Sequence, residues 1–200
     1  MTPGQLCWLF AASAAGLAAL GVQAQPAFDC AKASGEVETL ICADEDLQAL
    51  DRNLARTWAR ANESWPAEVA TEQRAMQRGW IKGRNDCWKA DNTRNCVEFA
   101  YKSRVVELSI SAGLVEAPGY QNLSCDDDAG PFTASFYNDL EPRAVVLTRG
   151  SDQVTALSAP TGSGTRYTAP GVEFRSKGDE AMVDWFGTSL TCTLEQSNSE

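Results

Sequence analysis

Two short segments carry side chains suited to chemistry on a partner. In Gly162-Ser163-Gly164-Thr165-Arg166-Tyr167 a hydroxyl stands between two glycines, and in Phe174-Arg175-Ser176-Lys177-Gly178-Asp179-Glu180-Ala181 an ammonium precedes a glycine. Tyr167 and Phe174 flank Pro170-Gly171, a turn pair, so the two segments read as the arms of one hairpin. Serine supplies a hydroxyl donor, and lysine a compact positive charge on a flexible stem. Presented together at two loop tips, they suit insertion into a cleft lined with carboxylates. Either tip alone is an ordinary polar turn, since Gly and Ser populate turns anyway. Their joint placement is the signal.

The rest of the composition prunes the alternatives. There is no histidine in the 200 residues, so neither a Ser-His-Asp nor a Cys-His arrangement can be assembled. The adjacent carboxylates Asp179 and Glu180 would point to opposite faces of a regular strand, which makes them a poor acid/base pair. The chain therefore reads as a binding protein, not an enzyme, and no cofactor is expected. Asp126, Asp127 and Asp128 lack the spaced ligands of a calcium loop and read as a solvated turn. No Cys-x-x-Cys pair is present, which argues against a zinc site. Net charge is −10: residues 25–117 hold 15 acidic and 12 basic side chains, residues 118–200 hold 12 and 5. An acidic C-terminal half repels nucleic acid and anionic membrane and is steered toward a cationic partner.

Cysteine use and the N-terminus point to export. Residues 1–24 carry no charged side chain and include an apolar, alanine-rich run from Leu9 to Val22. The run ends in Val22-Gln23-Ala24, which predicts a signal peptide cleaved after Ala24 and is too short in strongly apolar residues to span a membrane. No Leu-x-x-Cys closes the run, so the product reads as soluble and periplasmic or secreted rather than lipid-anchored. Cys7 leaves with the leader. Cys30, Cys42, Cys87, Cys96, Cys125 and Cys192 form an even set suited to disulfides in an oxidising compartment.

The elements that must position the two tips follow from periodicity. A short helix is predicted over 35–42 and a longer one from about 44 to 62, with Leu47, Leu50, Leu54, Trp58 and Ala61 on one stripe. Ser64-Trp65-Pro66 breaks it, with Ser64 read as a cap and Pro66 in the first turn of a helix over about 66–87. That helix directs Val69, Met76, Trp80 and Ile81 to the core, and leaves Gln73, Arg74, Arg78, Lys82 and Arg84 mainly on wet faces. Asp91-Asn92-Thr93 caps a helix over about 93–112 that buries Phe99, Tyr101, Val105, Val106 and Leu108. Four cysteines allow three pairings; Cys30–Cys42 and Cys87–Cys96 are preferred because each staples a local turn. Among the tryptophans, Trp58, Trp65, Trp80 and Trp88 are candidates for stacking sugars, but helical spacing favours the core for Trp58 and Trp80. After a linker at 114–119 the period changes to two. Eight strands at 120–125, 132–137, 143–148, 153–157, 165–168, 172–176, 181–186 and 190–194 predict a small antiparallel barrel, closed covalently by Cys125 and Cys192. The fold class is α+β: a disulfide-pinned helical bundle over 25–113, then a barrel over 120–195 and a tail at 196–200.

Both halves resemble known families. Residues 120–194 resemble the C-type lysozyme inhibitor domain of Gram-negative bacteria, the MliC/PliC family. The matching pieces are Tyr120 and Cys125 followed by acidic residues and Gly130, Phe132 through Phe136-Tyr137-Asn138, and Arg143-Ala144-Val145-Val146-Leu147. Ser163-Gly164-x-Arg166-Tyr167, Phe174-x-x-Lys177-Gly178-Asp179-Glu180-Ala181 and Cys192 complete the match. Residues 28–108 resemble the LprI-type helical domain, also linked to lysozyme inhibition, through Phe28-Asp29-Cys30, Glu38-Thr39-Leu40-Ile41-Cys42, Leu50-Asp51-x-x-Leu54 and Gln77-x-x-Trp80-Ile81-x-x-Arg84-x-x-Cys87. The resemblance implies that C-type lysozyme is the partner and that Ser163 and Lys177 enter its cleft and engage the two catalytic carboxylates. Gly164, Arg166, Tyr167, Arg175 and Gly178 complete the implied binding set, although the residues themselves favour barrel packing over partner contact for Tyr167, as for Phe174. Arg175 stands where the family commonly has an aromatic residue. The alternative reading is a periplasmic module of the same fold that binds another envelope protein or glycan without inhibiting lysozyme.

Overall fold

The computed structural model describes residues 25–126 and 130–195. The expected signal peptide with Cys7, the turn residues Asp127 and Asp128, and the tail at 196–200 lie outside the described residues. The N-terminal half holds helices α1 (Gly35–Ala43), α2 (Glu45–Ser64), α3 (Ala67–Asn85) and α4 (Thr93–Ser111), with single-turn 3-10 helices at Cys30–Lys32 and Asp86–Lys89. Helix α2 starts where it does because the Asp44 carboxylate accepts from the Asp46 and Leu47 amides, both at 3.0 Å. Such a cap satisfies amides that have no helical partner and favours the positive end of the helix dipole. Asn92 caps α4 likewise, accepting from the Asn95 amide at 2.9 Å. Ser64 is not a cap: it ends α2, its hydroxyl donating back to the Arg60 carbonyl, and Pro66 stands just ahead of α3.

The bundle core gathers Val37, Ile41, Leu47, Leu54, Val97, Tyr101 and Leu108, with Leu50, Trp58, Trp65 and Trp80 packed half-buried against it. Helix α3 faces differently from its apolar pattern. Val69, Met76 and Ile81 are exposed, whereas Ala70 and Arg84 are buried. Arg84 turns inward because partners wait there. Its guanidinium donates to the Tyr101 hydroxyl at 2.7 Å, Tyr101 donates to Asp51 at 2.8 Å, and Glu38 and Asp51 stand 3.8 and 3.9 Å away as ion pairs. The Trp80 and Tyr101 rings lie 5.5 and 5.4 Å from the guanidinium. Phe99 is 52% exposed. Two residues advance about 200° around a helix, so with Tyr101 in the core Phe99 faces away from it. Cys30–Cys42 and Cys87–Cys96 are bonded as expected, with Cα separations of 5.9 and 5.6 Å. Each closes a short loop and contributes about 3 kcal/mol by chain entropy.

Eight strands follow: β1 (Tyr120–Cys125), β2 (Phe132–Tyr137), β3 (Ala144–Arg149), β4 (Asp152–Ser158), β5 (Thr165–Ala169), β6 (Val172–Lys177), β7 (Glu180–Trp185) and β8 (Thr188–Glu195). Each pairs antiparallel with its neighbour in sequence, and β1 pairs with β8, so the barrel closes and leaves no free edge. Alternate residues fill the interior: Ala134, Val145, Leu147, Ala156, Tyr167, Phe174, Val183 and Leu190 are all buried. Cys125 lies directly opposite Cys192 across the β1–β8 seam, and the bond between them fastens it. A loop of that length is worth about 4 kcal/mol in the same entropic picture.

Up-and-down topology decides what shares an end. The connections at 138–143, 159–164 and 178–179 and the entry into β1 all lie at one end of the barrel. Helix α4 leans on the outer wall there: Val106 and Ile110 pack with Tyr137, Leu140, Ala144 and Leu157.

Candidate functional site

The hydroxyl and ammonium singled out in the sequence occupy neighbouring tips at that end. Ser163 lies on the β4–β5 connection, where Ala159 donates to the Arg166 carbonyl at 2.9 Å and the Thr161 hydroxyl donates to the Ser163 carbonyl at 3.0 Å. The connection then passes hard against β6. Gly164 has φ +67°, and a Cβ on it would stand 2.1 Å from the Ser176 carbonyl oxygen and 3.3 Å from the Lys177 Cβ. Only glycine permits that approach, so the spacing between Ser163 and Lys177 is fixed by backbone contact. One residue on, the hydroxyls of Thr165 and Ser176, opposite each other in the β5–β6 register, lie 2.7 Å apart.

Lys177 closes the other tip. It pairs with Glu180 across the two-residue turn Gly178-Asp179, in which Gly178 takes φ +61°. A glycine with positive φ at the first turn position is what a tight hairpin following the strand twist requires. The tip is tied down from behind, because the Leu194 amide of β8 donates to the Asp179 carbonyl at 2.7 Å. Ser163 and Lys177 are both exposed, and no hydrogen bond or ion pair engages either side chain among the described residues. Between the tips runs an open groove of about 340 Å³, lined by Thr161, Ser163, Arg175, Lys177, Glu180 and Met182 among others.

The remaining expected residues divide by face. Arg175, like Lys177 two positions on, stands on the outer face of β6, directly opposite Arg166 on β5. Two cations facing each other would repel, and Glu173 relieves this: one of its oxygens pairs with Arg166 and the other with Arg175. Those contacts, the Arg166 hydrogen bond foremost, hold the Glu173 carboxyl below its usual range. Arg175 thus lines the groove from outside the barrel and displaces nothing within it. Tyr167 takes the packing place that the residues favour for it over the implied contact role. It is 2% exposed and packs against Phe136 and Phe174 inside the barrel, so it supports the β4–β5 connection from beneath instead of meeting a partner. Burial raises its hydroxyl pKa. Met182, which the sequence reading passed over, is 65% exposed beside Arg175, its register partner. Its signal was present in the alternation: Ala181 and Val183 fill the interior, so a large apolar residue between them faces solvent.

A larger cleft, about 620 Å³, opens in the helical half, walled by Phe28, Leu54, Trp58, Trp80 and Ile81. Its floor is the Glu38–Arg84–Asp51 cluster, whose groups already engage one another, while Asp51 also accepts from the Ala27 amide at 2.6 Å. Trp65 stacks edge-on against Trp58, and Trp88 is 56% exposed with Lys89 over its ring. Among the described residues no group of three or more His, Cys, Asp or Glu side chains is placed to hold a metal ion, and no helix is long and apolar enough to cross a membrane.

Comparison with known proteins bears on both halves. A family model described as membrane-bound lysozyme-inhibitor of c-type lysozyme, MliC, matches residues 124–191, and one described as lysozyme inhibitor LprI matches residues 30–115. Relatives named "Lipoprotein LprI" from Mycobacterium bovis and Mycobacterium tuberculosis are 33% identical over 164 residues, which covers 82% of this chain and 82% of each relative. No solved structure matches the chain.

Proposed function

This chain belongs to the LprI lysozyme-inhibitor family, and from that premise we propose that it blocks c-type lysozyme by placing Ser163 and Lys177 in the enzyme's active-site cleft. Its lysozyme-inhibitor domains support the inhibitor role itself. The cleft mechanism rests on one observation: a free hydroxyl on the β4–β5 connection and a free ammonium at the end of β6 are brought side by side by the approach of Gly164 to the Ser176 backbone. A retaining glycosidase works with one carboxylic acid and one carboxylate about 5 Å apart. An ammonium answers the carboxylate, and a hydroxyl hydrogen-bonds the acid. Ser163 and Lys177 are both exposed at the end of the barrel, so they enter a cleft without the barrel having to deform. The chain's role is to occupy the site, with no turnover of its own. Residues 25–113 and 120–195 act as two domains joined by a linker at 114–119. The three disulfides and the leader pattern of residues 1–24 support export to an oxidising compartment, which we take to be the periplasm or the medium.

Titration of the mature chain into a cell-wall lysis assay tests this. Inhibition saturates near one inhibitor per lysozyme, and the Ser163→Ala/Lys177→Ala variant loses it. Removing a charge that binds in a desolvated cleft costs about 2–5 kcal/mol, a loss of at least about thirtyfold in affinity. Undiminished inhibition by that variant, with the barrel still folded, would move the activity to another surface.

A further inference from the structure

We propose that the helical half completes the lysozyme-binding surface, through a groove where α4 meets the barrel, so that one lysozyme molecule is held by both halves at once. This rests on the cleft-occlusion reading above and extends it to a second contact.

The groove is about 410 Å³ and is lined by Glu98, Phe99 and Lys102 of α4, Glu141 and Pro142 of the β2–β3 connection, and Ser158 at the end of β4. Its place relative to the two tips follows from the chain. The connection that begins after Ser158 carries Thr161 and Ser163, which line the groove between the tips. Thr161 is three residues on from Ser158, a span of about 11 Å at most. A specific protein–protein interface covers about 800 Å² on each partner, a patch about 32 Å across. A lysozyme centred on Ser163 and Lys177 therefore reaches the α4 groove unless it is tilted off that side altogether. The interdomain contact keeps the groove at that end, since Val106 and Ile110, further along the same helix, are fixed against Ala144 and Leu157.

The chemistry of the groove fits a basic side chain. Phe99 presents 52% of its surface to solvent, although the bundle core lies on the other side of its helix. An aromatic face attracts a cation, and aromatic anchors dominate the energetics of interfaces. Of the two carboxylates, Glu98 is committed to Arg94 and Lys102. Glu141 is exposed and has no ion pair among the described residues, so it is left to meet a cation from outside. The net charge of −10 already selects for a basic partner. We assign the groove to a Lys or Arg side chain on the rim of the lysozyme cleft, held between the Phe99 ring and the Glu141 carboxylate.

The test is the binding kinetics of a c-type lysozyme on the full mature chain, comparing wild type with Phe99→Ala, Phe99→Tyr, Glu141→Gln and Ser163→Ala/Lys177→Ala. Phe99→Ala speeds dissociation at least tenfold and Phe99→Tyr restores most of the loss; because the ring is exposed, neither change disturbs the core. Glu141→Gln slows association and flattens its salt dependence. If Phe99→Ala and Glu141→Gln leave both rates unchanged while Ser163→Ala/Lys177→Ala abolishes inhibition, the second contact is refuted and the cleft mechanism stands. If the wild-type chain binds no lysozyme, both fall. A Phe99→Ala effect on self-association alone, seen as a change in solution mass with lysozyme kinetics intact, gives the groove to a second copy and also overturns the assignment.

Discussion

Replacing Gly164 by alanine separates backbone strain from the contact that brings the two tips together. Two costs apply. A side chain in the left-handed region costs about 1–2 kcal/mol, of which a few tenths to 1 kcal/mol are returned because alanine stiffens the unfolded chain. The added Cβ would also lie 2.1 Å from the Ser176 carbonyl oxygen. That atom belongs to backbone held in the β6–β7 ladder, so the β4–β5 connection must lift by more than about 1 Å, and overpacking of this kind costs about 1–3 kcal/mol. Together the barrel loses about 2–4 kcal/mol. Gly178 is the matched control: its φ of +61° is nearly the same, but nothing lies within 4 Å of a Cβ built on it. Gly178→Ala therefore carries the backbone cost alone, about 1 kcal/mol. Native-state hydrogen exchange at buried barrel amides such as those of Phe174 and Val183 reads the two losses directly and excludes the helical half. The Gly164 variant also loses inhibition, because Ser163 moves away from Lys177. Equal destabilisation by the two substitutions would refute the claim that backbone contact sets the spacing of the tips.

Two further outcomes follow from the charge networks. Tyr101→Phe removes the hydroxyl that accepts from Arg84 and donates to Asp51, leaving a buried guanidinium and a buried carboxylate each short of a partner; the helical half loses about 1–3 kcal/mol in chemical denaturation, and no change would mean that Arg84 and Asp51 pair directly without it. Acid weakens the fold through Glu38, Asp44, Glu98 and Glu173, whose folded pKa values all lie below their ordinary 3.8–4.5. Because these values are depressed, the stability they supply is fully present above the ordinary range and is lost as pH falls through the lowered folded values, so thermal midpoints recorded from pH 7 downward hold until about pH 5 and then decline.

The barrel was legible because its sequence alternates. Inward residues such as Tyr167, Phe174, Leu190 and Cys192 are each flanked by polar or charged ones, and most strand ends fall within two residues of the turns that Gly and Asp mark. The tips were legible for the same reason, since each sits where the alternation stops. Helix α3 resisted because periodicity assigns inside and outside by apolarity. Arg84 is drawn inward by Asp51, Glu38 and Tyr101, which lie on three other helices, and no single segment reveals that meeting. Tyr167 was legible as packing although it shares a motif with Ser163, because a motif names neighbours in sequence whereas β-strand neighbours face opposite ways: Arg166 lies outside the barrel and Tyr167 within.

A positive tip on an acidic body is consistent once range is considered. Over long distances a partner meets the summed charge, which draws a basic protein toward the barrel and its helical neighbour. At physiological salt that attraction fades within about 8 Å, so it governs encounter and not the final contact. At contact only local groups matter, and there Lys177 stands free, while Arg166 and Arg175 are partly neutralised by Glu173. The full positive charge is thus concentrated on the side chain at the tip. Arg175, the departure from the usual aromatic residue, does not compete with it: with Glu173 beneath, it leaves Lys177 as the one unneutralised cation that lines the groove among the described residues.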